Sequence, residues 1–559
     1  MNEQKESHFM GVEQLTLRAV VIGMLGSVII TASSMYVALK MSALPWPTVF
    51  VAVLSMALLK ILGKTNLNEI NIAQTGMSAG AMVAGGLAFT IPGLWIAKVY
   101  TPYNSANETF AAWFWPKFWP VLMIAAAGMI LGSLLCWYMR PRFIDQDKLP
   151  YPIGTAAAET LQSGDQGGRK AALLFSTLGL TAIFTAIRDK VPKFPQNISG
   201  KLGDVSVGLY LSPMAVGIGY IIGLNYTAYW FAGAVFTSFV VLKLGVGWGA
   251  FADAAAASAF NSTAAIGLMV GSGAGILLSF LKTWGMKLSG RAKAEAADKS
   301  RAVRQTSKRK LSTGLLVLIS VAAAYVLTLA AGIGPAASLL LMLGVLAATA
   351  MSANITGLTG INPMEVFGII ILLAVRLFVT VDATGAFMIA AAVAVACGYA
   401  GDLLNDYKTG AIIGTNPNAQ LVSQIFGGVI GTLVASLAMF AVIYQYGGVG
   451  GSTGLSAAQA FSVTAMVNGI GDNFVFLVAA LLGCALYLCK IPAMIVGIGM
   501  LLSFNMSAAI FLGGLIRAAV DFIRRKKPQD NATGNIIAAG MLGGEGITGV
   551  ILAIITMFS

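Results

Sequence analysis

The amino-acid sequence predicts an all-α polytopic membrane protein of about 16–17 transmembrane helices in two related halves, with broken or re-entrant helices near the midplane. Three observations carry that expectation. Apolar runs of the ~18–20 residues needed to cross a bilayer recur along the whole chain. Only 10% of the 559 residues are charged and 57% are hydrophobic, with a mean hydropathy of +0.82, whereas a soluble domain carries roughly 25% charge. Matching stretches also recur on either side of one basic segment. A soluble enzyme and a disordered chain are both excluded by this composition.

The first span, 16–39, follows the polar start MNEQKESHFMGVEQ. It is too long for a signal-peptide core and is followed by no cleavage site, so it reads as retained. Further spans are expected at 44–62, 70–97, 118–139, 169–187, 207–224, 226–244 and 262–283. After a basic segment come 313–333, 335–353, 362–380, 384–400, 420–446, 473–489, 491–504, 506–520 and 533–557. The expected organisation is a first membrane repeat at 1–284, a basic linker at 285–312, an extra connecting span at 313–334 and a second repeat at 335–559.

The net charge of +13 concentrates in the linker, where KLSGRAKAEAADKSRAVRQTSKRK (287–310) holds nine basic and two acidic residues. The positive-inside rule places such a loop in the cytoplasm. A nucleic-acid arm is not expected; membrane lipid is the expected neighbour. The four cysteines lie in apolar segments and read as buried free thiols rather than a disulfide framework. One histidine, His8, leaves no ligand cluster, so no metal and no cofactor are expected.

Evidence for duplication lies in VGIGYIIGLNYTAYWFAG (216–233) and VGIGMLLSFNMSAAIFLG (496–513), which share V-G-I-G, an Asn and a Gly at identical spacing. Gly267, Gly271 and Gly273 likewise match the spacing of Gly540, Gly544 and Gly546. ALPWPTVF (43–50) then falls opposite GINPMEVF (360–367), and 313–333 has no counterpart. An extra crossing between the copies inverts the second one. Loop charges agree: RPRFIDQDK (140–148) is charged while YGGVGGSTG (446–454) is not, and GVGWGAFADAAAAS (245–258) is nearly neutral while IRRKKPQD (523–530) is basic. One loop, RDKVPKFPQNISGK (188–201), runs against the pattern.

Helix breakers at membrane depth imply burial in protein or a water-lined cavity, because backbone amides find no partner in hydrocarbon. KLPYPIGTAAAETLQSG (148–164) joins such a break at Tyr151–Gly154 to a half-helix from Thr155, which carries Glu159 one turn in. GLTGINPMEVFG (357–368) places Asn362 before Glu365, and GDLLNDYKTGAIIGTNPNAQ (401–420) brings Asp402, Asp406 and Lys408 near Asn416. Glu69 stands at a helix start, and Glu545 lies between glycines inside the last span. A membrane-embedded carboxylate costs ~2.5–3.5 kcal/mol on insertion scales, so it needs a role or a partner. The plain alternative for each is an acid at the membrane interface or a helix N-terminal charge.

YVALKM (36–41), KLPYPIGTAAAE (148–159), NPMEVFG (362–368), NDYKTG (405–410) with NPNAQ after it, and GEG (544–546) occur in this order. Through them the sequence resembles the oligopeptide transporter (OPT) family, which includes the yellow-stripe-like metal-chelate transporters. The resemblance implies secondary active transport of short peptides or metal–chelator complexes driven by protons. Where family members carry a proline in the second-half counterpart of the opening motif, this chain reads LSAAQAF (455–461).

The reading of the sequence is therefore a proton-coupled symporter of short oligopeptides or peptide-like metal chelates, working by alternating access and not an enzyme. The expected cavity wall is formed by breaks at 149–160, 357–367 and 405–418. Tyr151, Thr155, Glu159, Asn362, Glu365, Lys408 and Asn416 are the expected substrate contacts. With no histidine in the spans, proton coupling falls to Glu365 and Glu545 first, then Glu159, Glu69 and Asp406. The expected location is the plasma membrane, or the cell inner membrane of a bacterium, and a homo-oligomer is compatible with the sequence. A passive channel is the alternative, with an intramembrane enzyme behind it; the sequence has no H-E-x-x-H and no nucleophile with a histidine.

Overall fold

The computed structural model describes residues 8–41, 47–104, 106, 108–165, 169–191, 193–202, 205–298, 309–359, 362–450, 453–468, 472–523 and 531–558. The chain is a bundle of α-helices. In the first half these are α1 (Leu17–Met41), α2 (Pro47–Ile61), α3 (Leu67–Ala88), α4 (Gly93–Ile96), α5 (Phe110–Arg140), α6 (Pro152–Asp165), α7 (Arg169–Lys190), α8 (Pro213–Ile222), α9 (Leu224–Val235) and α10 (Ala254–Asp298). After α10 come α11 (Arg309–Ala330), α12 (Pro335–Thr359), α13 (Met364–Arg376), α14 (Ala383–Ile413), α15 (Pro417–Gln445), α16 (Ala458–Asn468), α17 (Asn473–Leu488), α18 (Ala493–Leu501), α19 (Phe504–Ile523) and α20 (Asn531–Phe558). Among the described residues, ten helical stretches are long and apolar enough to cross a membrane, and four shorter apolar helices accompany them.

Among the described residues, strand is confined to two antiparallel ribbons. His8–Phe9 pairs with Val12–Glu13, and Asn197–Leu202 pairs with Val205–Tyr210. The second ribbon occupies the start of the stretch expected as a span at 207–224, and only the ten residues of α8 are helical there. At the other end of the first half, α10 does not stop near 283 but continues to Asp298, into the expected linker.

Helix ends follow local chemistry. Asp382 caps α14 by accepting from the Gly385 amide at 3.0 Å, a contact worth about 1 kcal/mol. Gly414, at φ +93°, closes the same helix in the left-handed conformation that glycine adopts without a Cβ penalty. Asn416 then caps α15, with Pro417 at its first position, where a missing N–H is harmless.

At the centre stands α14, whose apolar window is 100% buried; α3 follows at 94%, while the α7 window is only 22% buried. Such a gradient separates helices enclosed by protein from those whose exposed leucines and isoleucines, such as Leu180 and Ile183, face lipid. Helix α14 packs on α3, α5, α12 and α13, and α3 on α1 and α15. Small residues allow this closeness. A Cβ on Gly86 or Gly128 would run into Val395 of α14.

The two VGIG stretches make reciprocal contacts. Gly219 of α8 lies against the Ile510 carbonyl of α19, and Gly499 of α18 lies against the Trp230 carbonyl of α9. Residue 219 matches 499 and residue 230 matches 510, a shift of 280 in each case. Gly513 against Val216 and Gly233 against Val496 repeat the exchange. Each copy of the motif therefore packs on the helix that follows the other copy.

The cysteines are free thiols. Cys136 and Cys397 are buried as expected, Cys484 is half-buried, and Cys489, just past the end of α17, is exposed.

Candidate functional site

One polar stripe interrupts α14. Asp402, Asn405, Asp406 and Thr409 follow an i, i+3, i+4, i+7 spacing, which sets them on a single helical face. All four are buried. The broken segments dock against this stripe.

The opening motif docks first. Lys148 and Tyr151 hold positive φ of +48° and +41°, so the chain break lies at 148–151. Helix α6 begins at Pro152, earlier than the sequence suggested, because proline at the first helical position is pre-organised and has no amide to satisfy. The strained Tyr151 is held from both ends: its amide donates to the Gly357 carbonyl at 2.8 Å and its hydroxyl to the Ala353 carbonyl at 2.9 Å, both on α12. The Gly154 amide donates to Asn405 Oδ1 at 3.1 Å, and the Thr409 hydroxyl donates to the Gly154 carbonyl at 2.8 Å. Gly154 is needed for that approach, since a Cβ there would strike the Asn405 carbonyl. Thr155 closes the turn, its amide donating to the Tyr151 carbonyl and its hydroxyl to the Pro150 carbonyl. Lys408 Nζ donates to the Leu149 carbonyl at 2.9 Å. The backbone of Glu159 belongs to α6, while its side chain lies outside the described ones.

The second break falls between α12 and α13. Asn362 Nδ2 donates to Asp402 Oδ2 and to the Cys397 carbonyl, each at 3.0 Å, and its Oδ1 accepts from Ser352 at 2.6 Å. Tyr151 and Asn362 are thus anchored on the same last turns of α12, which brings the two motifs together. Glu365 follows in the first turn of α13, 4% exposed, and no cation reaches it among the described residues.

The third break is narrower than the expected 405–418. Helix α14 runs unbroken through Lys408 and Gly410 to Ile413, so 405–413 forms a regular wall and the chain turns only at Gly414–Asn416. Gly410 is small because of packing, with the Gln420 and Asn71 side chains lying where its Cβ would be. Asn416 faces away from the stripe, its amide donating to Gln14 and its Oδ1 capping α15.

The acids divide into two groups. Glu69 accepts from Arg18, Thr16 and Thr65, and Glu545 accepts from Arg188, Ser212 and the Met214 amide. Glu365, Asp402 and Asp406 have no arginine or lysine partner among the described residues. Arg18, Arg188, Asn405 and Thr409 were not singled out in the sequence. The helical spacing of Asp402, Asn405, Asp406 and Thr409 within an apolar run was the signal that could have found the last two.

The family model described as "OPT oligopeptide transporter protein" matches residues 14–556. A curated protein of Haemophilus influenzae named "Putative oligopeptide transporter" is 27% identical, over 93% of this chain and 92% of that one.

Proposed function

The chain belongs to the OPT oligopeptide transporter family, and on that footing we propose that it imports short oligopeptides by proton-coupled symport, through alternating access at a cavity between its two related halves. The observation that carries this reading is the docking of the strained 148–151 turn onto α12 and α14, on the same last turns of α12 that anchor Asn362. Irregular backbone enclosed by helices is what a membrane cavity wall requires, and the printed name of the relative favours peptide over chelate as cargo.

In this mechanism the described arrangement is the closed one. When α6 lifts from α14, the Gly154 amide leaves Asn405 and the Lys408 ammonium leaves Leu149, and both become donors for a cargo carboxylate. Glu365 is the proton carrier, because a buried acid with no fixed cation can exchange a proton without breaking an ion pair. Glu69 and Glu545, each tied to an arginine, hold helices together. The reciprocal VGIG contacts support two copies related by a local two-fold axis, with 313–334 as the connecting span and the basic linker in the cytoplasm. The membrane is the plasma membrane, or the inner membrane in a bacterium.

The test is uptake of labelled tri- to hexapeptides into proteoliposomes under an imposed pH gradient. Accumulation that collapses with a protonophore supports symport. Equilibration indifferent to the gradient identifies a channel, and displacement of peptide by an iron–chelator complex moves the cargo to the chelate class.

A further inference from the structure

We propose that Lys40, with the hydroxyls of Tyr36, Tyr210 and Tyr446, binds the C-terminal carboxylate of the peptide cargo at the end of α1. This subsite rests on the peptide-import reading and fixes where one end of the peptide lies. Its place follows from the repeat. Residues 24–26 and 342–344 both read MLG, and the shift of 318 between them carries Leu39 of α1 onto Gly357 of α12. The Tyr151 amide donates to the Gly357 carbonyl at 2.8 Å, and the Ala457 amide donates to the Leu39 carbonyl at 3.0 Å. Both residues hold a positive φ, +41° at Tyr151 and +38° at Ala457. LSAAQAF therefore docks on α1 as the opening motif docks on α12, without its proline. Each turn also has a lysine beside it. In the first copy Lys408 Nζ donates to the Leu149 carbonyl of the turn. In the second the Ser456 hydroxyl holds the turn, donating to the Lys40 carbonyl at 2.7 Å, and the Lys40 ammonium is left to the side chains around it.

Around that ammonium, donors outnumber acceptors. Among the described residues it makes one hydrogen bond, to the Tyr36 hydroxyl at 2.8 Å. Asp189 Oδ2 is 4.0 Å away, and both Asp189 oxygens already accept from Arg188, at 2.8 and 2.9 Å. Tyr36 and Tyr446 share one proton between hydroxyls 3.4 Å apart, which leaves the other free to donate. The Tyr210 hydroxyl is enclosed, has no hydrogen-bond partner among the described residues, and lies within electrostatic reach of Tyr36 and Lys40. Its ring is fixed by the Arg188 guanidinium 5.3 Å over its face, and Glu545 holds that arginine in turn. An ammonium carries three N–H donors and each phenol one O–H. What this set lacks is an acceptor with negative charge, and a carboxylate supplies two oxygens and the charge together. Water supplies lone pairs without the charge. The place is also reachable: the Lys40 and Asp189 side chains keep 13% and 14% exposure, so the crevice between α1 and α7 opens to them.

The test compares uptake of trialanine and of its C-terminal amide into proteoliposomes holding the wild-type chain, Lys40→Gln or Tyr210→Phe. The wild type is expected to half-saturate with the acid at a concentration about tenfold or more below that for the amide, the factor a charge-assisted hydrogen bond supports. Lys40→Gln should erase that preference, and Tyr210→Phe should reduce it about threefold or more, as for the loss of a neutral hydroxyl. A merely structural role for Lys40 would shift both peptides alike and keep the ratio, which overturns the subsite. Equal half-saturation by acid and amide in the wild type overturns it too, and leaves peptide import standing. Uptake of neither peptide by the wild type overturns the import reading and the subsite together. If Lys40→Gln does not fold, an unchanged ratio in Tyr210→Phe overturns the subsite.

Discussion

Arg188 Nη1 donates to Glu545 Oε1 across 2.7 Å, and neither side chain reaches the surface although 357 residues separate them. The pair bolts α7 to α20, and Glu545 extends the bolt to the start of α8 through Ser212 and the Met214 amide. Removing one member of a buried pair strands the other charge. Glu545→Gln should therefore destabilise the protein by about 3 kcal/mol, the lower end for such a loss because Asp189 still accepts from Arg188. Thermal unfolding checks this. An unchanged midpoint in Glu545→Gln would remove the structural role and return this acid to the candidate proton carriers.

Glu365 presents the opposite case. It is enclosed in the first turn of α13, and among the described residues no cation would be stranded by its loss. Glu365→Gln should leave the unfolding midpoint within about 0.5 kcal/mol of wild type, as expected where no named interaction is lost, and should abolish peptide accumulation driven by a pH gradient. Counterflow exchange of peptide, which needs no net proton movement, should survive. Normal gradient-driven accumulation in this variant would refute the proton-carrying role.

Gly154 tests the docking of the opening motif. A methyl group there would meet the Asn405 carbonyl, backbone that cannot swing aside, so Gly154→Ala should separate α6 from α14. Overpacking of this kind typically costs ~1–3 kcal/mol. Gly179 on α7 is the matched control, because nothing lies within 4 Å of its added Cβ; Gly179→Ala should be neutral or slightly stabilising. Uptake should fall in the first variant and persist in the second. Equal behaviour of the two would show that the close approach has no functional weight.

Much of this was legible in the chain itself. Pro and Gly around Tyr151, and Asn362-Pro363 before Glu365, marked two real breaks, because backbone geometry is written locally. The third was drawn too wide, with the turn confined to Gly414–Asn416. Lys408 to Ile413 lies in regular helix, and Gly410 there accommodates the Gln420 and Asn71 side chains rather than a turn. Local sequence does not say whether a glycine bends the chain or admits a neighbour. The partners of Glu69 and Glu545 were equally hidden, since Arg18 and Arg188 meet them only after distant helices pack. What the sequence did carry was the face of α14, in the spacing of Asp402, Asn405, Asp406 and Thr409.

The repeat offers a quantitative test. Gly219 against Ile510 and Gly499 against Trp230 are one contact made twice, a helix backbone pressed on a glycine with no room for a side chain. If a local two-fold axis relates the halves, the surroundings match as well as the contact. They do in part: Arg517 donates to the Tyr220 carbonyl, and Thr237 donates to the Met500 carbonyl, again 280 residues apart in both donor and acceptor. Gly219→Leu and Gly499→Leu should then destabilise the protein by similar amounts, each at or above the ~1–3 kcal/mol of an overpacked core. Helices of opposite copies are separated by either change, so the double variant should lose less than the two single losses added together. The comparison is made by thermal unfolding of the three variants in one detergent. A large loss from one substitution beside a negligible loss from the other would show that the matching contacts are not equivalent, and the two-fold relation would fail with them.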